Sequence, residues 1–150
     1  MVIRTRGLRD LIVALFAAGA AMIVTPAAQA DPTGAQSALT AITGQGEGLV
    51  IVSPTSALHG NFNAHVKVTI HGATPDTIFT VTRAVDTPSD GVCTSTNFGT
   101  VATLQTSSGG AGAVEFERNG GPTQAFDLFL RVIGADGTVL QSGCMVIIGK

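Results

Sequence analysis

The sequence predicts an all-β protein, an antiparallel sandwich of about seven strands. After residue 46, short apolar runs rich in β-branched residues alternate with clusters of Gly, Pro, Asn, Asp and Ser. Seven such runs within about 100 residues are typical of a sandwich. No stretch after residue 30 has the 3.6-residue apolar period of an amphipathic helix. A chain of this length normally forms one domain.

Residues 1–30 have the pattern of a secretory signal peptide. Three arginines precede an uncharged run of 14 residues from Leu11 to Val24, and Pro26 and the small residues AAQA follow. The run is shorter than the ~20 residues that a membrane-spanning helix needs. We therefore expect cleavage after Ala30, no membrane span in the mature protein, and secretion to an extracellular or periplasmic location.

The composition of the remaining chain argues against several classes of partner. Residues 31–150 contain five basic and nine acidic residues, a net charge of −4. Five scattered cations do not form a footprint for nucleic acid or anionic lipid. The chain has no Trp and no Tyr, the residues on which sugar-binding and peptide-binding surfaces depend. We expect a monomer without a cofactor, whose partner is an unidentified protein or a small apolar ligand.

Two cysteines, Cys93 and Cys144, follow the predicted cleavage site. An even number of cysteines in an exported chain predicts a disulfide bond between them. The bond would close a loop of about 50 residues and contribute roughly 4 kcal/mol to stability. Two cysteines are too few for a zinc cluster of the structural type.

The elements follow in order after the signal peptide. Residues 31–46 have many small residues and no sustained alternation, which predicts a flexible arm or a loosely held first strand. The β-sandwich domain then covers residues 47–150. Its predicted strands are GLVIVSP, NFNAHVKVTIHG, TIFTVTRAV, FGTVATLQTS, GAVEFERN, AFDLFLRVI and TVLQSGCMVII. The second of these alternates apolar and polar residues, the period of a half-buried strand. SGGAG and GADG predict hairpin loops.

The segment GATPDTIFTV resembles the corner of fibronectin-III and bacterial immunoglobulin-like domains, where Gly-x-x-Pro-x-Thr-x-Tyr leads into a strand. Gly72, Pro75 and Thr77 match this motif, and Phe79 replaces the tyrosine. The hydroxyl that would bond to the backbone is missing, so we expect packing alone to hold the corner.

The order of segments from Ile51 to Ile148 is also similar to that of the apoproteins of neocarzinostatin-type chromoproteins. These are small exported immunoglobulin-like sandwiches that carry an apolar antibiotic. The resemblance implies an immunoglobulin-like sandwich and, for function, a carrier of a small apolar ligand. The family usually has two disulfides, whereas this chain can form one.

The histidines do not predict a metal site. His65 and His71 share the polar face of one predicted strand, but six residues separate their Cα atoms by about 20 Å. Lys67 lies between them and would repel a cation, and His59 lies in a loop from which it could approach only one of them. We expect solvated strand histidines.

No catalytic motif stands out either. Glu115 and Glu117 share one strand face about 6.6 Å apart at Cα, a spacing that suits a glycosidase pair. However, alternation with Val114 and Phe116 predicts that the two carboxylates face solvent. The sequence has no Gly-x-Ser-x-Gly, no phosphate-binding loop and no His-Glu-x-x-His. We expect no enzyme, and a hydrolase is the alternative from a different class.

The last predicted hairpin has apolar residues on both faces. A two-residue turn at Asp136 and Gly137 would place Ile133 opposite Leu140 and Phe129 opposite Cys144. The face away from the core would then carry a patch, which we predict to be the ligand or partner site, formed by Phe129, Ile133, Leu140 and Val146.

A sheet face exposed to water does not normally carry that many large apolar side chains. Residues 84–97, tethered through Cys93, either cover the patch or leave a cleft for an apolar ligand or partner. The leading functional hypothesis is a non-enzymatic binding or surface-interaction module, with a carrier of a small apolar ligand as the alternative.

Overall fold

The computed structural model describes residues 34–55, 61–87, 89–122 and 125–148. The predicted signal peptide, the first three residues of the predicted arm and His59 lie outside these ranges. The described residues form nine strands and no helix. The strands are β1 (Ala35–Thr43), β2 (Glu47–Thr55), β3 (Asn61–His71), β4 (Ile78–Asp86), β5 (Gly99–Gln105), β6 (Gly112–Pro122), β7 (Phe126–Gly134), β8 (Val139–Ser142) and β9 (Met145–Ile147).

All strand pairings in the described chain are antiparallel, which confirms the all-β prediction. The strands follow the order β5-β4-β7-β8-β1-β2-β3-β6, and β9 also pairs with β7. Because β1 pairs with both β2 and β8, all the strands belong to one sheet. This sheet curls until it is nearly closed. Residues 35–43, expected to belong to a flexible arm or a loosely held strand, are therefore an interior strand. The last predicted strand is divided into β8 and β9.

The core lies inside the curve of this sheet, and period-two alternation explains which side chains enter it. In β3, Val66 and Val68 are buried, whereas His65 and Lys67, which alternate with them, point outward. β7 follows the same rule with its even-numbered residues. The fully buried side chains at the centre of this core include Leu39, Val50, Val68, Ile70, Phe79, Val81, Leu130, Val132, Leu140 and Ile147.

The predicted two-residue turn of the last hairpin is wrong. Gly134 N–H donates to the Thr138 carbonyl over 2.8 Å, which leaves a three-residue loop, and Gly137 has a φ of 87°. Three-residue hairpin loops use a residue of positive φ at this position. The pairing shifts by one, so Val132 lies opposite Leu140 and Ile133 opposite Val139. The register is the predicted one again at Leu128 and Met145.

The corner before β4 rests on more than packing, contrary to expectation. Phe79 is fully buried in the core. In addition, the buried Thr106 hydroxyl accepts the Thr77 backbone N–H over 2.9 Å and lies 2.7 Å from the Thr74 carbonyl, to which it donates. A threonine from the hairpin loop between β5 and β6 thus supplies the hydroxyl that the corner itself lacks.

The sheet ends at β5 and β6, which leave one opening. The hairpin loop between them joins the end of β5 to the start of β6, where Ser107 N–H donates to the Ala111 carbonyl over 2.8 Å. Among the described strands, β5 pairs only with β4, and β6 only with β3. Away from the hairpin, the two edges therefore face each other without a ladder between them. No helix in the described chain is long and apolar enough to cross a membrane.

Candidate ligand-binding cleft

The predicted patch on the last hairpin is divided between the two faces of the sheet. Leu140 is fully buried in the core because of the one-residue shift, so its placement in the patch is wrong. Phe129 lies on the outer face but is only 6% exposed, whereas Ile133 is 38% and Val146 44% exposed. A binding role for Phe129, Ile133 and Val146 stays a prediction.

Residues 89–98, in the segment between β4 and β5, cover part of this outer face. The Phe98 ring packs edge-on against Phe129 with 4.9 Å between centroids. The Arg131 guanidinium lies over the Phe98 ring, 4.2 Å from its centre. Phe98 thus explains why an outward-facing phenylalanine of β7 is buried.

Two aspartates and a disulfide hold this segment in place. Asp86 and Asp127 are direct neighbours on β4 and β7. The Asp127 carboxylate accepts the backbone N–H groups of Asp90 and Gly91 at 2.9 and 2.8 Å. Asp86 accepts two more, from Thr94 and Ser95.

The predicted disulfide between Cys93 and Cys144 is confirmed, with 5.5 Å between the Cα atoms. It ties the middle of the covering segment to the residue that precedes β9. A disulfide is compatible with a protein of an oxidising compartment.

The histidines and glutamates form exposed cross-strand pairs. Glu115 lies 2.8 Å from Lys67 Nζ and 3.6 Å from His65 Nε2. The hydrogen bond from Lys67, and then its charge, lower the pKa of Glu115. His71 lies 3.6 Å from Glu47, far from this group in the register. Within the described ranges, no three His, Cys, Asp or Glu residues are placed to hold a metal.

A different site is found where the sheet fails to close. A cavity of about 280 Å³ lies between β5 and the end of β6. Its polar wall is formed by Arg83, Ser95, Asn97, Thr100 and Arg118. A narrower, apolar cavity of about 30 Å³ shares both arginines and is otherwise lined by core-facing residues of β2, β3, β6 and β7. We call the two together the cleft.

The two arginines reach the cleft from core-facing positions on opposite sides. On β4, Arg83 follows Phe79 and Val81 at every second residue and pairs with the buried Leu130 of β7. On β6, Arg118 follows Val114 and Phe116 and pairs with the buried Ala64 of β3. Both positions would hold apolar side chains if the alternation continued.

The arginines have no acidic partner in the part of the chain that the structure describes. The ion pairs found there involve Lys67 and two histidines. Burial lowers the pKa of Arg83, and the nearby positive charge of Arg118 lowers it further. Arginine nevertheless stays charged at neutral pH. The mouth of the cleft therefore concentrates positive charge in a protein with an acidic balance.

Gly99 explains why the cleft is open beside Arg83. Gly99 pairs directly with Arg83 and occupies the same face of the sheet. A Cβ atom built on Gly99 would meet no heavy atom within 4 Å. The side chain of a larger residue at this position would occupy part of the cavity.

The sequence contains the signal for this site, although motif analysis does not find it. In TIFTVTRAV and GAVEFERN, Arg83 and Arg118 occupy positions at which the period-two pattern demands an apolar residue. Arg83 is half-buried at its position, which is costly for a charge without a partner, whereas Arg118 is exposed. Such breaks in the alternation mark the site better than the histidines or the paired glutamates do.

Comparison with known proteins adds no assignment. No family model matches the chain, and no curated protein or solved structure is significantly similar to it.

Proposed function

We propose that the protein is a secreted, non-enzymatic binding protein whose cleft between β5 and β6 takes a small ligand. In this proposal its nearly closed sheet is a form of the immunoglobulin-like sandwich that the resemblance to the chromoprotein apoproteins implies. The supporting observation is the cleft itself, a cavity of about 280 Å³ between strands that do not pair. That volume is just below the range of sites for drug-sized ligands.

The groups that line the cleft favour binding over catalysis. The polar ones that the structure describes are two guanidinium groups, two hydroxyls and an amide. None of these residues is an Asp, Glu, His or Cys, the usual general acids, bases and nucleophiles. The carboxylate beside Ser95 is that of Asp86, which accepts the Thr94 and Ser95 backbone N–H groups and does not line the cavity. This chemistry suits orientation of a polar group on an otherwise apolar ligand better than a hydrolase.

Blocking the cleft tests the proposal. The probe is 8-anilinonaphthalene-1-sulfonate, whose fluorescence rises in an apolar site; the protein has no Trp or Tyr to interfere. We expect saturable one-to-one binding by the native protein. The variant Gly99→Leu should abolish it, because the new side chain enters open space within the cleft.

Gly109→Leu is the matched control. Gly109 lies in the loop between β5 and β6, and a Cβ there would meet only the Ser107 hydroxyl, at 3.7 Å. This variant should bind the probe as the native protein does. Equal binding by both leucine variants, with unfolding midpoints unchanged, would place the probe elsewhere and contradict the proposed site.

A further inference from the structure

On the premise that the cleft binds a small ligand, we propose that this ligand is an amphipathic anion. Its carboxylate, or a group of similar shape and charge, lies between Arg83 and Arg118. The apolar part of the ligand is a short alkyl group directed at the narrow cavity of about 30 Å³ beside Val66, Phe116 and Leu128.

The first argument is the positions of the two arginines. Both occupy core-facing places in strands, opposite Leu130 and Ala64, and both border the apolar cavity as well as the polar one. Arg83 is half-buried, whereas Arg118 is exposed. Partly burying the Arg83 cation is unfavourable unless a counter-charge compensates for the lost hydration. The two positive charges in one cleft also repel each other, which adds to this cost. An anionic ligand would relieve both costs at the same time.

The second argument is that the other cations in the described chain already have partners. Only five basic residues follow residue 30. Of these, Lys67 is paired with Glu115. Arg131 lies over Phe98 on the outer face, and its Nε–H donates to Gln141 over 2.6 Å. Among the cations that the structure describes, Arg83 and Arg118 thus remain without a carboxylate or amide partner, and they converge on one cleft.

The third argument is the shape of the cleft. Its wider part is lined by groups that can hydrogen-bond an anion: the guanidinium groups and the side chains of Ser95, Asn97 and Thr100. Guanidinium groups suit carboxylate, sulfonate and phosphate because they donate two parallel hydrogen bonds. The narrow cavity is almost wholly apolar. A ligand that fits both parts has one charged end and one compact apolar end.

Three probes with the same apolar body and different charges test the inference. They are 3-methylbutanoate, its neutral primary amide, and 3-methylbutylammonium, whose branched alkyl body is small enough for the cleft, each titrated by calorimetry into the secreted protein. We expect the carboxylate to bind at least about tenfold more tightly than the amide, the effect of one charge-assisted hydrogen bond. The ammonium should bind most weakly.

The variants Arg83→Gln and Arg118→Gln should each weaken carboxylate binding about tenfold and leave amide binding within about twofold. Arg131→Gln, which removes an arginine from the opposite face, is the matched control and should change neither. Suppose that all three probes bind with equal affinity and Gly99→Leu still blocks them. That result would contradict the inference that the ligand is an anion, but it would support the cleft as the binding site. Lack of saturable carboxylate binding at millimolar concentration would also overturn the inference.

Failure of Gly99→Leu to block any probe would instead overturn the proposed function. A membrane headgroup is the other source of the same chemistry, so sedimentation with vesicles of phosphatidylglycerol and phosphatidylcholine is measured in parallel. We expect no sedimentation above that with phosphatidylcholine alone. Sedimentation that depends on Arg83 and Arg118 would contradict the inference of a free ligand and would indicate that the arginines bind an anionic lipid surface.

Discussion

Replacing Asp127 by alanine should release the segment that covers the outer face of β7. The Asp127 side chain is fully buried, and its Oδ2 accepts the N–H groups of Asp90 and Gly91 at 2.9 and 2.8 Å. Hydrogen bonds to a charged group contribute about 1.5–3 kcal/mol each. Its Oδ1 is buried without a partner among the described residues. This unsatisfied acceptor costs about 1–3 kcal/mol, which offsets part of the stabilisation from the two hydrogen bonds. The net expected loss of unfolding free energy is therefore about 2 kcal/mol.

Urea denaturation followed by far-ultraviolet circular dichroism measures this loss, since the protein has no Trp or Tyr to report it by fluorescence. Amide exchange at Asp90 and Gly91 should accelerate in Asp127→Ala. Asp90→Ala is the control, because it removes an exposed carboxylate that bonds only to Val92 and keeps the backbone N–H. Its effect should stay within about 0.5 kcal/mol. Equal stability of the native protein and Asp127→Ala would refute the argument that this carboxylate anchors the segment.

Three further predictions concern the disulfide, the register and the cleft. Replacing Cys93 and Cys144 together by alanine should lower the unfolding free energy by up to about 4 kcal/mol, since the bond spans 51 residues; a change below about 1 kcal/mol would contradict this. Leu140→Ala should lower the unfolding free energy by about 2–5 kcal/mol, and Ile133→Ala by less than about 1 kcal/mol. The reverse order would support the two-residue turn instead. Arg83→Met should leave stability unchanged or raise it by about 1 kcal/mol, whereas a clear loss in urea denaturation would assign Arg83 a structural role.

The strands could be predicted because their signal is local. Alternation in β3 is enough to place Val66 and Val68 inward and His65 and Lys67 outward, and the structure does so. The disulfide could also be predicted, since Cys93 has only one possible partner within the chain.

The register of the last hairpin could not be predicted in the same way. GADG is compatible with a loop of two or three residues, and the difference moves Leu140 from one face to the other. The choice depends on distant contacts, because Leu140 also pairs with Ala41 of β1. The strand β1 was itself uncertain, since its sequence has no regular alternation. Its place is set by two neighbouring strands rather than by its own pattern.

The cleft required the path of the whole chain. Arg83 and Arg118 are visible in the sequence as charged residues at core-facing positions, but nothing local brings them together. They meet because the sheet curls until its first and last strands face each other. Local alternation identifies the two positions, and only the topology shows that both arginines border the same opening.

The two free edges of the sheet also bear on how the protein behaves at high concentration. An unpaired edge can add a strand from another molecule, and charged side chains normally oppose this. β6 carries exposed Glu115 and Glu117, whereas β5 has no charged residue from Gly99 to Gln105. We expect self-association to begin at β5, so Thr103→Lys should raise the concentration at which light scattering detects aggregates, and an unchanged onset would exclude that edge. Because the same edge lines the cleft, a bound ligand would also protect the protein from aggregation.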